Sequence, residues 1–216
     1  MTVSSQRWIH PAVAAARDLR DRDRVDLAAA LRGRIEGDVL DGRGDRLLYA
    51  NDASIFQMEP AAVVFPRTAE DIAAVVRICA DRGVAVLPRG AGTSLAGQAI
   101  NHAVVIDCSR HMNRVLAIDV EGRTARVQPG VVLATLNREG ARHGLAYAID
   151  PSTANRATIG GGVGNNSCGA HSILYGKTSD QLVSLEVVLA DGMRAALAPI
   201  EGAPLDEKLR CPASKG

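Results

Sequence analysis

The sequence predicts an α+β fold on three observations: strand-like segments outnumber helical ones, two stretches alternate strand and helix in the βαβ manner, and hairpin signals fall between them. The chain has 216 residues, 47% hydrophobic and 23% charged, enough for one substantial core or for two small lobes sharing a ligand. A net charge of +1 gives no argument for nucleic acid or an anionic membrane as partner. No apolar run approaches transmembrane length, and the start M-T-V-S-S-Q-R-W-I-H lacks the basic-then-apolar order of a secretory signal. A cytoplasmic protein is expected, with peripheral membrane attachment left open.

Residues 12–19 and 25–31 carry helical signals on charged, solvated faces and are expected to be peripheral. Residues 36–58, with D-G-R-G-D at 41–45, read as loop leading to a ligand mouth or a domain edge. Residues 1–60 thus form a helical and loop extension. From Ala61 the pattern sharpens: an apolar strand ends at Pro66, and Thr68 caps a helix with Asp71 at the capping-box position. That helix runs through Ile72, Val75, Val76 and Cys79 and closes at Gly83. V-A-V-L at 84–87 is a buried strand by length and β-branching, leading into P-R-G-A-G-T-S-L-A-G-Q at 88–98.

Residues 103–107 are a further apolar strand, and residues 115–119 and 123–128 flank Glu121-Gly122 as a hairpin. Pro129-Gly130 breaks that strand. Val131, Leu133, Leu136 and Asn137 lead a helix that runs to His143 and stops at Gly144. A strand A-Y-A-I at 146–149 then enters Asp150-Pro151. Residues 182–190 are strongly β-like, with a turn at Asp191-Gly192 into residues 193–197. The tail, 199–216, has no periodic pattern.

The chemistry is expected in residues 158–176, T-I-G-G-G-V-G-N-N-S-C-G-A-H-S-I-L-Y-G. Six glycines leave this backbone almost bare, and ordering each costs about 0.5–1 kcal/mol relative to alanine, unfavourable unless a flat or phosphorylated ligand needs close approach. Cys79, Cys108, Cys168 and Cys211 form no CxxC pair, so no zinc or iron–sulfur ligand set is evident. Cys168 lies inside the loop and is read as a small residue in a tight turn rather than a nucleophile. A Walker A reading of G-K-T at 176–178 fails because its leading glycine would fall at His171. A dinucleotide fingerprint beginning at Gly90-Ala91-Gly92 fails because its third glycine would fall at Leu95.

A third reading is a resemblance. Arg89-Gly90-Ala91-Gly92-Thr93-Ser94, Pro129-Gly130, Asp150-Pro151, Ile159-Gly160-Gly161-Gly162, Asn165-Asn166 and V-V-L-A-D-G at 187–192 resemble, in order and spacing, the flavin-binding domain of the vanillyl-alcohol oxidase and para-cresol methylhydroxylase superfamily. The similarity is greatest to the D-lactate, glycolate and D-2-hydroxyglutarate dehydrogenase branch. The resemblance implies a PCMH-type FAD-binding domain over residues 61–198, incomplete at its C-terminal end, with two α/β subdomains around the flavin. It implies that Gly90, Ala91, Gly92, Thr93 and Ser94 wrap the FAD pyrophosphate with backbone N–H groups, as an anion nest that needs no lysine. It sets Gly160, Gly161, Gly164 and Asn166, with Ile159 and Asn165, beside the isoalloxazine and ribityl chain, where a side chain at Gly161 would occupy the ring's space. Asp150-Pro151 would border the ring, Pro129-Gly130 would lie along the cofactor, and Val188 would close over the adenine.

Arg89 is read about evenly as a phosphate partner or as a solvated strand end. No histidine stands near Thr93 or Ser94, where some members tether flavin, so FAD is expected without a covalent bond. His102 and His111 read as surface or structural, while His171 stays a weak site candidate. No catalytic and no metal-binding residue is assigned. The substrate, a small 2-hydroxy acid, would be met through a cap domain missing from this chain, and the long members of the branch imply an iron–sulfur region in a longer protein. On this reading the chain is the flavin-holding part of a D-2-hydroxy acid oxidoreductase, inactive by itself. The competing reading is a truncated, non-catalytic binding or scaffold fragment that holds flavin weakly or not at all.

Overall fold

The computed structural model describes residues 21–198; the helix expected over 12–19 and the tail at 199–216 lie outside them. The best-specified element is the helix after the first apolar strand. Strand A-V-V-F, β2 (Ala62–Phe65), is buried along its whole length, and α3 (Ala69–Asp81) follows it. Thr68 Oγ1 accepts from the Asp71 amide at 3.1 Å, one half of the expected capping box. The Asp71 carboxylate, however, accepts from the amides of Arg67 (2.8 Å) and Glu36 (2.9 Å), so the reciprocal bond is displaced by one residue and also pins the preceding segment. At the far end Gly83 has φ +64°, the Gly83 amide bonds to the Ala80 carbonyl and the Val84 amide to that of Cys79, the Schellman arrangement.

Four strands form the main sheet in the order β1 (Asp38–Leu40), β2, β4 (Val104–Asp107), β3 (Val86–Arg89). β1 is antiparallel to β2, whereas β2 and β3 each run parallel to β4. β3 begins two residues later than expected and is half-exposed, because it is the edge strand, where Pro88 costs no ladder hydrogen bond. One face of the sheet packs Val64, Val104 and Ile106 against Val75 and Cys79 of α3 and Leu27 and Leu31 of α1 (Asp21–Arg32). The other packs Val63, Phe65 and Val105 against Leu40, Tyr49 and Leu87. Burial pushes the Cys79 thiol up to about 12.

Two expectations about the first part of the chain are therefore corrected. The helix over 25–31 is not peripheral: Leu27 and Leu31 are 1% and 0% exposed, and burying each contributes about 1.5–3 kcal/mol. Residues 36–58 are not only loop, since they include β1 and a short helix, α2 (Arg43–Leu48). Both were masked by charge, as D-R-D-R-V-D-L-A-A-A-L-R and D-V-L each bury only a narrow apolar edge.

Beyond β4 the chain forms two antiparallel ribbons, β5 (Val115–Asp119) with β6 (Thr124–Val127) and β7 (Leu185–Val188) with β8 (Arg194–Leu197). Arg126 of β6 pairs with Glu186 of β7, and the turn of the second ribbon docks on α3 through Arg77 Nη1, which donates to the Gly192 carbonyl at 3.1 Å. Between them α4 (Leu133–Ala141) ends ahead of Gly144, at φ +69°. The strand expected at 146–149 does not form, and with it the second βαβ unit is lost among the described residues. Its backbone partner is a side chain: Tyr147 N donates to Asn137 Oδ1 at 2.7 Å, and Asn137 Nδ2 donates to the Tyr147 carbonyl at 3.4 Å. No helix among the described residues is long and apolar enough to cross a membrane.

Candidate functional site

Parallel strands β3 and β4 end at the same edge of the sheet, the place where open α/β sheets hold ligands. β3 delivers the first glycine loop there. Arg89, its last residue, turns its guanidinium under the loop: Nη1 donates to the carbonyls of Tyr49 (3.0 Å) and Ala99 (2.9 Å), and Nη2 to that of Asn51 (2.7 Å). Burial lowers the Arg89 pKa, partly offset by Tyr49, Asp52 and Asp107. Gly92 has φ +66°, and a Cβ there would collide with that guanidinium. Residues 51–54 run alongside. The Ala53 amide bonds to the Gly92 carbonyl at 3.0 Å, and the Asp52 carboxylate accepts from the amides of Ser54 (2.8 Å) and Ala99 (3.3 Å). Burial would raise the Asp52 pKa, but the Ser54 hydroxyl and amide, the Ala99 amide and Arg89's charge outweigh it and hold the carboxyl below its ordinary value.

The second glycine stretch is not bare loop throughout. Thr158 Oγ1 accepts from the Gly161 amide at 3.2 Å and caps a short helix, α5 (Ile159–Gly164), with a further turn of helix, α6 (Ser172–Tyr175), beyond it. α5 is pressed onto the end of the first ribbon: the Gly160 amide donates to the Pro129 carbonyl at 2.8 Å, and a Cβ at Gly160 would lie 2.7 Å from Pro129 Cβ. Asp150 holds the following turn. Its Oδ1 accepts from the His171 amide at 3.0 Å, and Oδ2 lies 2.7 Å from His171 Nδ1.

The two glycine stretches meet. A Cβ at Gly90 would strike the Thr158 hydroxyl and lie 3.5 Å from Gly161 Cα. Asn165 Nδ2 donates to Ser94 Oγ at 3.0 Å, and Gln98 Nε2 to Asn165 Oδ1 at 3.4 Å. A side chain at Gly161 would meet Thr158 Oγ1 at 3.0 Å and Gly90 Cα at 3.7 Å, so it would intrude on this seam before it reached any ring. Beside the seam opens a cleft of about 610 Å³, walled by residues 51–53, by Arg89, Ala91, Gly92, Thr93 and Leu95 of the first loop, and by Ser152, Thr153 and Arg156.

Of the residues expected at a site, Arg89, Ala91, Gly92 and Thr93 line this cleft, and Gly90, Ser94, Gly161 and Asn165 form the seam. Gly160 and Ile159 are tied to Pro129 and Val131, while the Gly130 amide bonds back to the Met112 carbonyl at 2.8 Å. Asp150 and Pro151 immediately precede the wall residues Ser152 and Thr153. Asn166 has φ +45°, and its Oδ1 accepts from the Ser179 amide at 2.9 Å. Gly164 faces open space. Val188 is not brought to the cleft: it lies on β7, opposite Arg194. His102 reaches the Glu59 carbonyl and His111 the Asp38 carboxylate.

Ser152, Thr153 and Arg156 escaped sequence reasoning, and residues 51–53 were expected only as part of a loop, 36–58, leading to a ligand mouth or a domain edge. The polar S-T following Asp150-Pro151 was a usable signal, but nothing local marks 51–53, which reach the cleft only because Arg89 bonds to their backbone.

An elongated cofactor carrying a diphosphate fits this arrangement. The cleft lies within the 300–1,000 Å³ range usual for such ligands. One wall is the loop of Ala91, Gly92 and Thr93, whose short side chains let phosphate approach the backbone amides.

Comparison with known proteins agrees. The family described as "FAD binding domain" matches residues 60–197. A D-2-hydroxyglutarate dehydrogenase of Pseudomonas putida is 40% identical over 191 residues, 87% of this chain and 19% of that protein. The glycolate oxidase subunit GlcD of Bacillus subtilis is 40% identical over 154 residues, 70% of this chain and 33% of that one. The chain thus spans between about a fifth and a third of these relatives' lengths. The structure of p-cresol methylhydroxylase with substrate bound superimposes with a TM-score of 0.69 at 20% identity, over 83% of this chain and 36% of that one, a likeness of fold. The chain belongs to the family of FAD-binding domains, with the α+β fold of the p-cresol methylhydroxylase type and FAD as its cofactor.

Proposed function

We propose that this chain is the FAD-holding part of an oxidoreductase acting on a small D-2-hydroxy acid. The observation that carries the reading is the seam at Gly90, Thr158 and Gly161, which sets the two glycine stretches side by side, the first of them lining an open cleft. The amides of residues 90–94 take the diphosphate. Gly160, Gly161, Gly164, Asn165 and Asn166 lie along the ribityl side, and Asp150-Pro151 border the ring. Arg156, on the opposite wall, offers the cleft a cation. With no histidine at Thr93 or Ser94, the cofactor is held without a covalent bond.

FAD, when bound, would accept a hydride from the substrate Cα at its N5. The names of the relatives, D-2-hydroxyglutarate dehydrogenase and glycolate oxidase subunit, support a 2-hydroxy acid as the substrate class. The substrate-binding cap and an iron–sulfur region belong to a longer protein on this reading, which also keeps the cytoplasmic placement. The test is direct. A purified, folded sample should show flavin absorbance in the visible, or quench the fluorescence of added FAD saturably at one equivalent. A folded sample that does neither would be a scaffold without cofactor, and the reading would fail.

A further inference from the structure

Three side chains beneath the first loop have no part in the reading above. Tyr49, the residue that closes α2, directs its hydroxyl to Asp107 Oδ2 at 2.7 Å; Asp107, 5% exposed at the end of β4, also accepts from the Ser109 amide through Oδ1 at 2.8 Å. Asp107 stands opposite Arg89 in the β3–β4 register. The Arg89 guanidinium lies 5.2 Å from the centroid of the Tyr49 ring and donates to three carbonyls from two separate segments, those of Tyr49 and Asn51 in one and of Ala99 in the other. It thereby joins the entrance of the loop, its exit and the neighbouring strand of chain. It also fills the space beside Gly92 that a side chain at 92 would need.

We infer that Arg89 is a positioning residue: it shapes the 90–94 loop into an anion-binding conformation through these three carbonyls, anchored by the Tyr49–Asp107 pair, and does not itself pair with the cofactor's phosphates. A guanidinium suits that task because its planar fork spans carbonyls in several directions. A lysine ammonium carries the same charge but has no such fork. The inference rests on the proposed function for its ligand, but not for the state of the loop.

Arg89→Lys and Arg89→Met separate the two roles. Loop shaping predicts that both weaken FAD binding by about tenfold or more, the scale of one lost charge-assisted hydrogen bond, with the salt dependence of binding unchanged. In the ligand-free protein, amides of 90–94 should exchange with solvent faster in both variants while the global unfolding midpoint stays close to that of the parent. Tyr49→Phe, which keeps the backbone carbonyl, should give the same pattern more weakly, and serves if either Arg89 variant fails to fold. Parental affinity in Arg89→Lys, a salt dependence shallower by about one ion in Arg89→Met, or unaltered exchange at 90–94 would overturn the inference. If the parent protein itself takes no FAD, the proposed function falls, and the exchange measurement still decides the role of Arg89.

Discussion

The two glycine stretches are alike in composition and differ in what holds them. The first, after β3, is kept in shape from outside by side chains: Arg89 on three carbonyls and Asp52 on two amides. The second is kept in shape at its start by close contact of backbone with its neighbours, Gly160 on Pro129 and Thr158 against Gly90, with the Thr158 hydroxyl as cap, and only farther along by side chains such as Asp150 on the His171 amide. Many of its glycines are thus required by the protein's own packing, and a glycine-rich sequence alone does not say which of them face a ligand. Gly164, with open space around it, is the counter-example within the same helix.

The sharpest way to break this contrast is Gly160→Val. Its branched side chain would enter Pro129, and overpacking of this kind costs about 1–3 kcal/mol, so a fall in the thermal midpoint and loss of FAD binding together are expected. An unchanged midpoint would show that α5 is not pressed on Pro129. Thr158→Ala removes the cap of α5 and should cost about 1 kcal/mol in chemical denaturation, because the Gly161 amide loses its partner. No loss would mean that the hydroxyl is not a cap in solution.

Gly164→Ala should do the opposite and stabilise by about 0.5–1 kcal/mol, since a helical glycine with free space gains from a methyl group. If FAD affinity drops while stability rises, the open space at 164 belongs to the ligand; if both rise, it does not. The smallest effect is expected from acid. The Asp52 carboxyl is held below its ordinary value, so its contribution is present above the unfolded value of 3.8 and disappears as pH falls through the lower folded value. Exchange at the amides of Ser54 and Ala99 should quicken in that window in the parent protein. In Asp52→Asn it should be insensitive to pH there beyond the intrinsic rate.

Where pattern and punctuation coincide, the sequence was legible. β2, α3 with Thr68 before it and Gly83 after it, β4 and the first hairpin lie within a residue or two of their expected places, and the second hairpin keeps its turn although β7 begins three residues late. Each couples an apolar period to a capping or turn residue, and local physics suffices. α1 and β1 were misread because their buried edge is two leucines and one valine among charges, visible only against the partner they cover. The 146–149 segment has the composition of a strand, but its backbone is satisfied by Asn137, a tertiary choice that no window of sequence reports. The motif shows Arg89 but not its bonds, since the carbonyls of Tyr49 and Asn51, some forty residues away, and of Ala99 leave no trace in the motif itself.

The central claim, that both glycine stretches serve one cofactor, is tested most directly by titrating the isotopically labelled protein with FAD and following its backbone amide resonances. Amides of 90–94 and of 160–166 should shift together with one midpoint. Shifts confined to one stretch, or two separate midpoints, would contradict the account.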